Sequence, residues 1–309
     1  MSNNILLGWP NLIGDATLSG GTWASSPFAR ANMALPEITK VARTSAITTA
    51  STQFQMDFGA AVRVNVLAEI NHNAPEGTLR RVSAGTTAGA NDVYAGDWED
   101  FHGIAYSESG IQFQASDWWG GGIDPFVYGS PFIGVLPLLQ DVTARYWKVE
   151  YDLSSSSVSH LQIGRFFIGP AYQPQYNAVY GLVEGMQDFS TKQRLESGGT
   201  VDYARRAART VQFEFPLTIA GAEEYRIREM LRRQRTTGDI LYVPYPGDPD
   251  KRQIKGFLGR LDELSGMNSI GYLRRSIGLK LTENNDGSNE TLTASTNRKQ
   301  IAMMAQSFG

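Results

Sequence analysis

The stretch that decides the fold is Gln53-Phe54-Gln55-Met56-Asp57-Phe58-Gly59, in which polar and apolar side chains alternate. Successive side chains of a β-strand point to opposite faces, so this order places the three apolar side chains on one face. Gly59 predicts the end of the strand. The alternation resumes at every second residue from Val62 to Ile70, which predicts that the next strand follows directly.

Working outward, the same pattern predicts strands over residues 145–151, 161–168, 208–215, 240–244, 257–261 and 276–281. Pro216 predicts the end of the strand that precedes it. Gly, Asn, Pro and Ser separate these short segments, and helical periodicity is scarce in the first half. Such a pattern is typical of a β-sandwich or barrel.

One helix is predicted, over about residues 221–235. Glu223 and Glu224 lie in its first turn and arginines crowd its last, as the helix dipole prefers. A narrow stripe predicted to be buried lies at helical spacing: Ile227, Met230, Leu231 and Gln234. Most of its arginines stand three or four residues from a glutamate, which favours a solvated or intersubunit face over nucleic-acid binding. The five arginines are Arg226, Arg228, Arg232, Arg233 and Arg235.

The run Gly169-Pro170-Ala171-Tyr172-Gln173-Pro174 predicts a domain boundary, because proline and glycine resist both helix and sheet. We therefore expect a mainly β protein with a β-sandwich over residues 1–170. A β-rich α+β domain with one main helix is predicted over residues 171–285, and an extended C-terminal tail over residues 286–309.

Composition excludes several classes of protein. The 309 residues are 41% hydrophobic and include no cysteine, which excludes a disulfide scaffold, thiolate metal sites and a cysteine nucleophile. No apolar run reaches the roughly 20 residues needed for membrane insertion, and the N-terminus lacks the pattern of a secretory signal. Residues 1–170 hold 9 Lys and Arg against 15 Asp and Glu, while the rest is net positive. This asymmetry favours docking between subunits and does not indicate nucleic acid.

The segment between Gly96 and Pro137 is rich in glycine and aromatic residues, and it is too long for a plain connection. Sugars stack on flat aromatic faces while acids bind their hydroxyls, so this loop is the candidate carbohydrate site. The same residue types also dominate protein interfaces, and that alternative stays open. The candidate ligand-binding residues are Trp98, Tyr106, Asp117, Trp118, Trp119 and Tyr128.

Catalytic and metal chemistry have little support in the sequence. His72, His102 and His160 have no second histidine at ligand spacing, and no Gly-x-Ser-x-Gly elbow is present. A glycosidase needs two carboxylates facing one another across a sugar, and nothing fixes that geometry for Asp97, Glu99, Asp100, Asp117 and Asp124. Asp248-Pro249-Asp250 follows Pro246-Gly247, which predicts an ordinary Pro-Gly turn, with bound calcium left open. We predict no catalytic residue, no metal site and no cofactor.

Short segments of the first half resemble the opening and closing strands of discoidin-type, galactose-binding-like domains. This resemblance implies a jelly-roll sandwich. Such domains often join their ends with a disulfide, which this chain cannot form. The segments are residues 11–13, 16–19, Trp23, 54–59, 144–149 and 163–169.

The second half is similar to minor tail proteins of long-tailed bacteriophages in residues 196–201, 209–215 and 236–244. This resemblance implies a structural subunit of a tail tip or baseplate, of the distal-tail type. Such a subunit would form a homo-oligomeric ring, link the tail tube to the hub or fibres, and be assembled in the host cytoplasm before it joins the virion. The alternative is a receptor-binding module that contacts host surface glycans through the aromatic loop. A cell-wall-degrading enzyme is the third class considered.

Overall fold

The computed structural model describes residues 4–75, 77–101, 133–154, 158–179, 181–194, 200–203, 205–218, 222–271 and 274–284. These residues form two eight-stranded antiparallel sheets, one separate β-hairpin and two α-helices. The predicted class, mainly β with one main helix, is confirmed. Within the described residues, neither helix combines the length and apolar character needed to cross a membrane.

The strands are β1 Leu6–Gly8, β2 Thr17–Ser19, β3 Ala42–Arg43, β4 Gln53–His72, β5 Leu79–Gly85, β6 Tyr94–Ala95, β7 Glu99–Asp100, β8 Ile133–Asp152, β9 Gln162–Gly169, β10 Ala171–Tyr172, β11 Val183–Gln187, β12 Thr191–Arg194, β13 Thr200–Tyr203, β14 Ala208–Thr218, β15 Ile240–Val243, β16 Phe257–Leu261, β17 Met267–Gly271 and β18 Arg274–Glu283. The helices are α1 Ala222–Gln234 and α2 Pro249–Lys255, with short 3₁₀ helices at Ile13–Asp15 and Arg30–Ala34.

The N-terminal sheet becomes a sandwich because its two longest strands pass through both layers. It has the order β3-β9-β4-β8-β5-β6, with β2 beside β4 and β7 beside β5. The first parts of β4 pair with the last part of β8, next to β5, and the last part of β4 pairs with the first part of β8 and with β9. Phe54 in one layer packs edge-to-face on Phe166 in the other, with ring centroids 5.0 Å apart.

Gly59 does not end the strand as predicted, since β4 runs on to His72. Gly59 has a φ of +72°, which glycine adopts without strain, and the β4–β8 register shifts between Asp57 and Val62. A second shift lies between Val64 and Val66. Val64 faces the sandwich core, whereas Val66, Ala68 and Ile70 face the other way. The valines and the residues that continue their pattern to Ile70 therefore lie on two opposite faces of β4, although the alternation is continuous in the sequence.

The C-terminal sheet has the order β10-β1-β15-β16-β18-β14-β11, with β17 beside β18. Helix α1 packs on it through Ile227 and Met230, both fully buried, as the stripe predicted. Pro216 does not end its strand, because β14 continues to Thr218 and pairs Pro216 with Ser276 of β18. The pairing of β14 with β11 covers only residues 208–212 of β14. The missing N–H of Pro216 therefore removes no hydrogen bond between β14 and β11.

The two sheets pack against each other through a third apolar cluster. Phe167 of the N-terminal sheet and Leu241 of the C-terminal sheet are both fully buried there. At the edge of this contact Asp239 forms ion pairs with Arg165, at 2.5 Å, and with Arg260, at 3.1 Å. Strand β1 belongs to the C-terminal sheet, where Leu6 pairs with Val243, although it lies within the predicted first domain. The boundary at residue 170 stays a prediction. Strand β1 precedes this boundary in sequence but pairs with a strand that follows it.

Candidate functional site

Trp98 is the one candidate ligand-binding residue that lies in the described part of the chain. It stands between β6 and β7, and the residue is 37% exposed. The guanidinium carbon of Arg81 lies 4.5 Å from the centre of the indole, so a cation covers one face of the ring. The remaining exposed surface of the ring is available for stacking.

Cross-strand ion pairs hold Arg81 in this position. Arg81 lies opposite Glu150 in the β5–β8 pairing, and its Nε donates to Glu150 Oε2 at 2.9 Å. Lys148 Nζ contacts the other carboxylate oxygen at 2.7 Å. Burial acts to raise the pKa of Glu150, but the hydrogen bonds from Lys148 and Arg81 outweigh it and leave the pKa lowered. The carboxylate is therefore ionised at neutral pH, and Trp98 has a rigid polar support.

The other five candidates, Tyr106, Asp117, Trp118, Trp119 and Tyr128, lie outside the described residues. Asp124 also lies there, which leaves the predicted absence of a carboxylate pair in this loop untested. Within the described residues Glu99 is directed towards Arg80, at 3.7 Å. Whether the aromatic residues converge on Trp98 stays a prediction.

A buried polar cluster lies inside the sandwich. Glu69 and Arg80 are both fully buried, with Arg80 Nη1 2.7 Å from Glu69 Oε2. Tyr151 Oη donates to the second oxygen of Glu69 at 2.9 Å. Burial raises the pKa of Tyr151, so its hydroxyl keeps its proton and acts as the donor. No sequence pattern indicated this cluster, because Glu69 alternates with apolar residues as a solvent-facing residue would.

The remaining titratable candidates have structural partners. His72 is buried and its Nδ1 accepts from the amide of Ala74, His160 contacts Ser159, and His102 lies outside the described residues. Pro246 and Gly247 form the predicted turn, which a hydrogen bond from the Asp248 amide to the Tyr245 carbonyl closes at 3.2 Å. Asp248 then caps helix α2 by accepting from the amide of Lys251. No group of three or more metal-binding side chains occurs in the described part of the chain.

Three of the five arginines form ion pairs at the helical spacing that the sequence indicated. Arg232 and Arg233 both pair with Glu229, and Arg228 pairs with Glu224, which also accepts from Arg275 of β18. The hydrogen bonds from Arg232 and Arg233 lower the pKa of Glu229 to about 2. The absence of nucleic-acid binding on this face stays a prediction.

The second exposed feature is an assembly arm, by which we mean β11 together with the hairpin of β12 and β13. Every side chain of β11 and β12 is exposed, and the hairpin strands pair only with each other among the described residues. Large apolar side chains are exposed along it: Val183, Met186, Phe189 and Tyr203. β11 is also the last strand of its sheet. None of these strands was predicted from the sequence.

Comparison with known proteins gives structural matches only, since no protein-family profile and no curated protein matches the sequence. The chain is similar to CBM32-1 from a family 31 glycoside hydrolase of Clostridium perfringens, with 12% identity over 52% of this chain and 97% of that chain, at a TM-score of 0.32. It is similar to chitosan-binding module 2 of a chitosanase/glucanase from Paenibacillus sp. IK-5, with 10% identity over 52% of this chain and 100% of the module, at 0.32. The lectin domain of lectinolysin, solved with Lewis B antigen, matches with 14% identity over 52% and 96%, at 0.33. The similarity thus extends over about half of this chain and nearly the whole of each module.

Proposed function

We propose that this chain is a non-enzymatic structural subunit that assembles with copies of itself through the assembly arm. The observation that carries the proposal is the exposure of that arm, which presents strands and apolar side chains to solvent together. Placement in a phage tail tip, beside tube, hub or fibre proteins, rests on the sequence resemblance of the second half alone. Assembly in the host cytoplasm is part of the same proposal.

The physical argument starts from the marginal stability of an isolated two-stranded ribbon. A hairpin without a hydrophobic face to cover is barely stable in water. An exposed terminal strand also offers a row of unpaired backbone groups to any other strand, a hazard that monomeric proteins normally block. Here 60% of Val183, in β11, and 55% of Tyr203, in β13, are exposed. Pairing with a second copy would cover both the backbone edge and these side chains.

We expect the purified protein to form a defined oligomer and the double variant Val183→Lys/Tyr203→Lys to dissociate into monomers. Two charges in the contact would have to be buried without partners, which opposes association strongly. Multi-angle light scattering measures the mass directly. The matched control is Tyr225→Lys, since Tyr225 is 74% exposed on α1, outside the arm. A monomeric wild type at high concentration, or equal masses for all three proteins, would refute the proposal.

A second candidate function, carbohydrate binding, is favoured by the surface around Trp98. An exposed indole supported from one side by Arg81 offers its remaining face to a sugar ring, and Lys148 and Glu150 add charged groups beside it. Sugar-binding sites combine a flat aromatic face with polar groups that bind hydroxyls. The matched domains come from proteins described as binding chitosan and the Lewis B antigen. Their similarity is too low to carry the proposal, which stands on Trp98.

For this candidate we expect Trp98→Ala to abolish glycan binding while leaving the fold intact. Loss of a stacked aromatic ring is worth about 1 kcal/mol or more beyond its buried area, and sugar affinities are weak enough for that to remove detectable binding. A glycan array with wild type and variant provides the measurement. Tyr225→Ala is the control for loss of an exposed aromatic side chain. Equal binding by Trp98→Ala and wild type, or no binding by either, would rule this candidate out.

A further inference from the structure

We propose that a cavity between β11, β14 and α2 binds a small uncharged aromatic compound that carries one hydrogen-bond acceptor. The cavity has a volume of about 290 Å³ and lies in the C-terminal part, away from Trp98. Its walls come from edge strand β11, from the start of β14, and from the end of α2 with the adjoining Phe257. At about 30 Å³ for each water-sized group, it has room for roughly ten non-hydrogen atoms.

The hydroxyl of Tyr242 is the reason that the ligand should carry a hydrogen-bond acceptor. Tyr242 lines the cavity, only 1% of the residue is exposed, and its Oη has no hydrogen-bond partner within the described part of the chain. Burying a hydroxyl without a partner is unfavourable, so an acceptor placed in the cavity would recover that loss. Burial raises the pKa of Tyr242 well above neutral pH, so the hydroxyl keeps its proton and can donate.

The charged residues of the cavity already have partners, which sets the charge of the ligand. Arg209 donates from Nε and Nη2 to Glu283 and from Nη1 to the carbonyl of Ile254. Lys255 Nζ lies 3.0 Å from Glu184 and joins α2 to β11 across the cavity. A charged ligand would have to compete with these pairs, whereas a neutral one leaves them intact.

The apolar walls select for an aromatic ring. Met186 contributes a thioether, Phe257 an aromatic ring, and Val211 and Ile254 branched aliphatic groups. Thioethers and phenyl rings both make favourable contacts with an aromatic ligand beyond simple burial of area. The ring would lie against these side chains with its acceptor directed at the Tyr242 hydroxyl. The inference goes beyond the proposed assembly role, and β11 belongs to both the cavity wall and the assembly arm.

The test compares two probes of the same shape by ¹⁹F NMR, using the full chain in whatever oligomeric state it adopts. The first is 4-fluoroacetophenone, and the second is 4-fluoro-α-methylstyrene, in which a methylene group replaces the acceptor oxygen. We expect the wild type to bind the ketone about three- to tenfold more tightly than the hydrocarbon, as one net hydrogen bond allows. Tyr242→Phe should remove that preference and keep binding of the hydrocarbon.

Two controls keep the experiment decisive. Tyr242→Phe retains the buried ring and removes an unpaired hydroxyl, so it should fold as the wild type does. Tyr245→Phe alters a tyrosine that is 40% exposed and does not line the cavity, and it should leave the preference unchanged. Labelled methionine methyl groups should show cross-relaxation from the ketone to Met186. Absence of binding by the wild type, equal binding of the two probes, or a preference that survives in Tyr242→Phe would each overturn the inference.

Discussion

Replacing Arg80 with alanine is expected to destabilise the protein by about 3–5 kcal/mol, because it leaves the buried carboxylate of Glu69 without its cation. Both side chains of this pair are fully buried in the sandwich, and the contact between them is 2.7 Å. The tyrosine hydroxyl of Tyr151 remains as a hydrogen-bond donor but supplies no charge. Denaturation in urea, followed by circular dichroism, gives the free energy of unfolding.

The same variant should show a characteristic dependence on pH. Burial already raises the pKa of Glu69 against the opposing effect of Arg80, and removal of the arginine raises it further. A carboxyl whose pKa is higher in the folded state retains its proton there while the unfolded chain loses it. Stability therefore falls as pH rises through the window between the two values. The deficit of the variant relative to wild type should be smaller at pH 5 than at pH 8.

Arg63 provides the matched control for this experiment. It pairs with Asp141 at 2.6 Å, but about half of each side chain is exposed. Exposed pairs contribute about 0–1 kcal/mol, so Arg63→Ala should cost less than about 1 kcal/mol. The double variant Glu69→Leu/Arg80→Met should recover much of the loss, because it removes both charges together. Equal costs for Arg80→Ala and Arg63→Ala would contradict the structural account.

Phe167→Ala is expected to cost about 3–5 kcal/mol and to destabilise both sheets at once. Phe167 is fully buried between the sheets, and its ring lies so close to Gly8 that a Cβ there would be 3.0 Å from it. Removing the ring leaves a cavity bounded by rigid backbone on two sides, which relaxes little. Hydrogen exchange in β9 and β16, read residue by residue during urea denaturation, measures both sheets in one experiment.

Leu264→Ala is the control, since Leu264 is 56% exposed in the segment between β16 and β17, outside the assembly arm. A surface substitution of this kind usually changes stability by no more than about 0.5 kcal/mol. We expect one shared transition for β9 and β16 that moves to lower urea in Phe167→Ala alone. Separate transitions, of which only one moves, would show that the sheets fold independently and that the boundary at residue 170 divides the chain cleanly.

The elements that sequence alone could predict are those in which one face is apolar and the other polar. Helix α1 is the clearest case, because the stripe of Ile227 and Met230 and the paired arginines follow from spacing and charge. The alternation around Phe54 also predicted its strand and the core face correctly. In both places one local pattern decides the structure, so no distant contact is needed to interpret it.

The failures share a different physical cause, which is that distant contacts reverse the meaning of a local pattern. Glu69 resembles a solvent-facing residue, yet the second layer of the sandwich covers it and supplies Arg80. Val66 continues a row of valines, yet a bulge turns it to the opposite face. The assembly arm has no strong alternation, since all of β11 and β12 is exposed. Of the candidate site, only Trp98 could be compared with the structure.

The position of β1 has a consequence for the way the chain is made. Its partner β15 lies near the other end of the sequence, with Leu6 opposite Val243. A ribosome delivers the N-terminal sandwich in full long before that partner emerges. During this interval β15 and β16 are missing from the cluster between the sheets. The apolar faces that β4, β8 and β9 turn towards that cluster are therefore exposed, as is β1. Synthesis therefore passes through a partly folded intermediate with exposed apolar surfaces. A chaperone would be most useful at this stage.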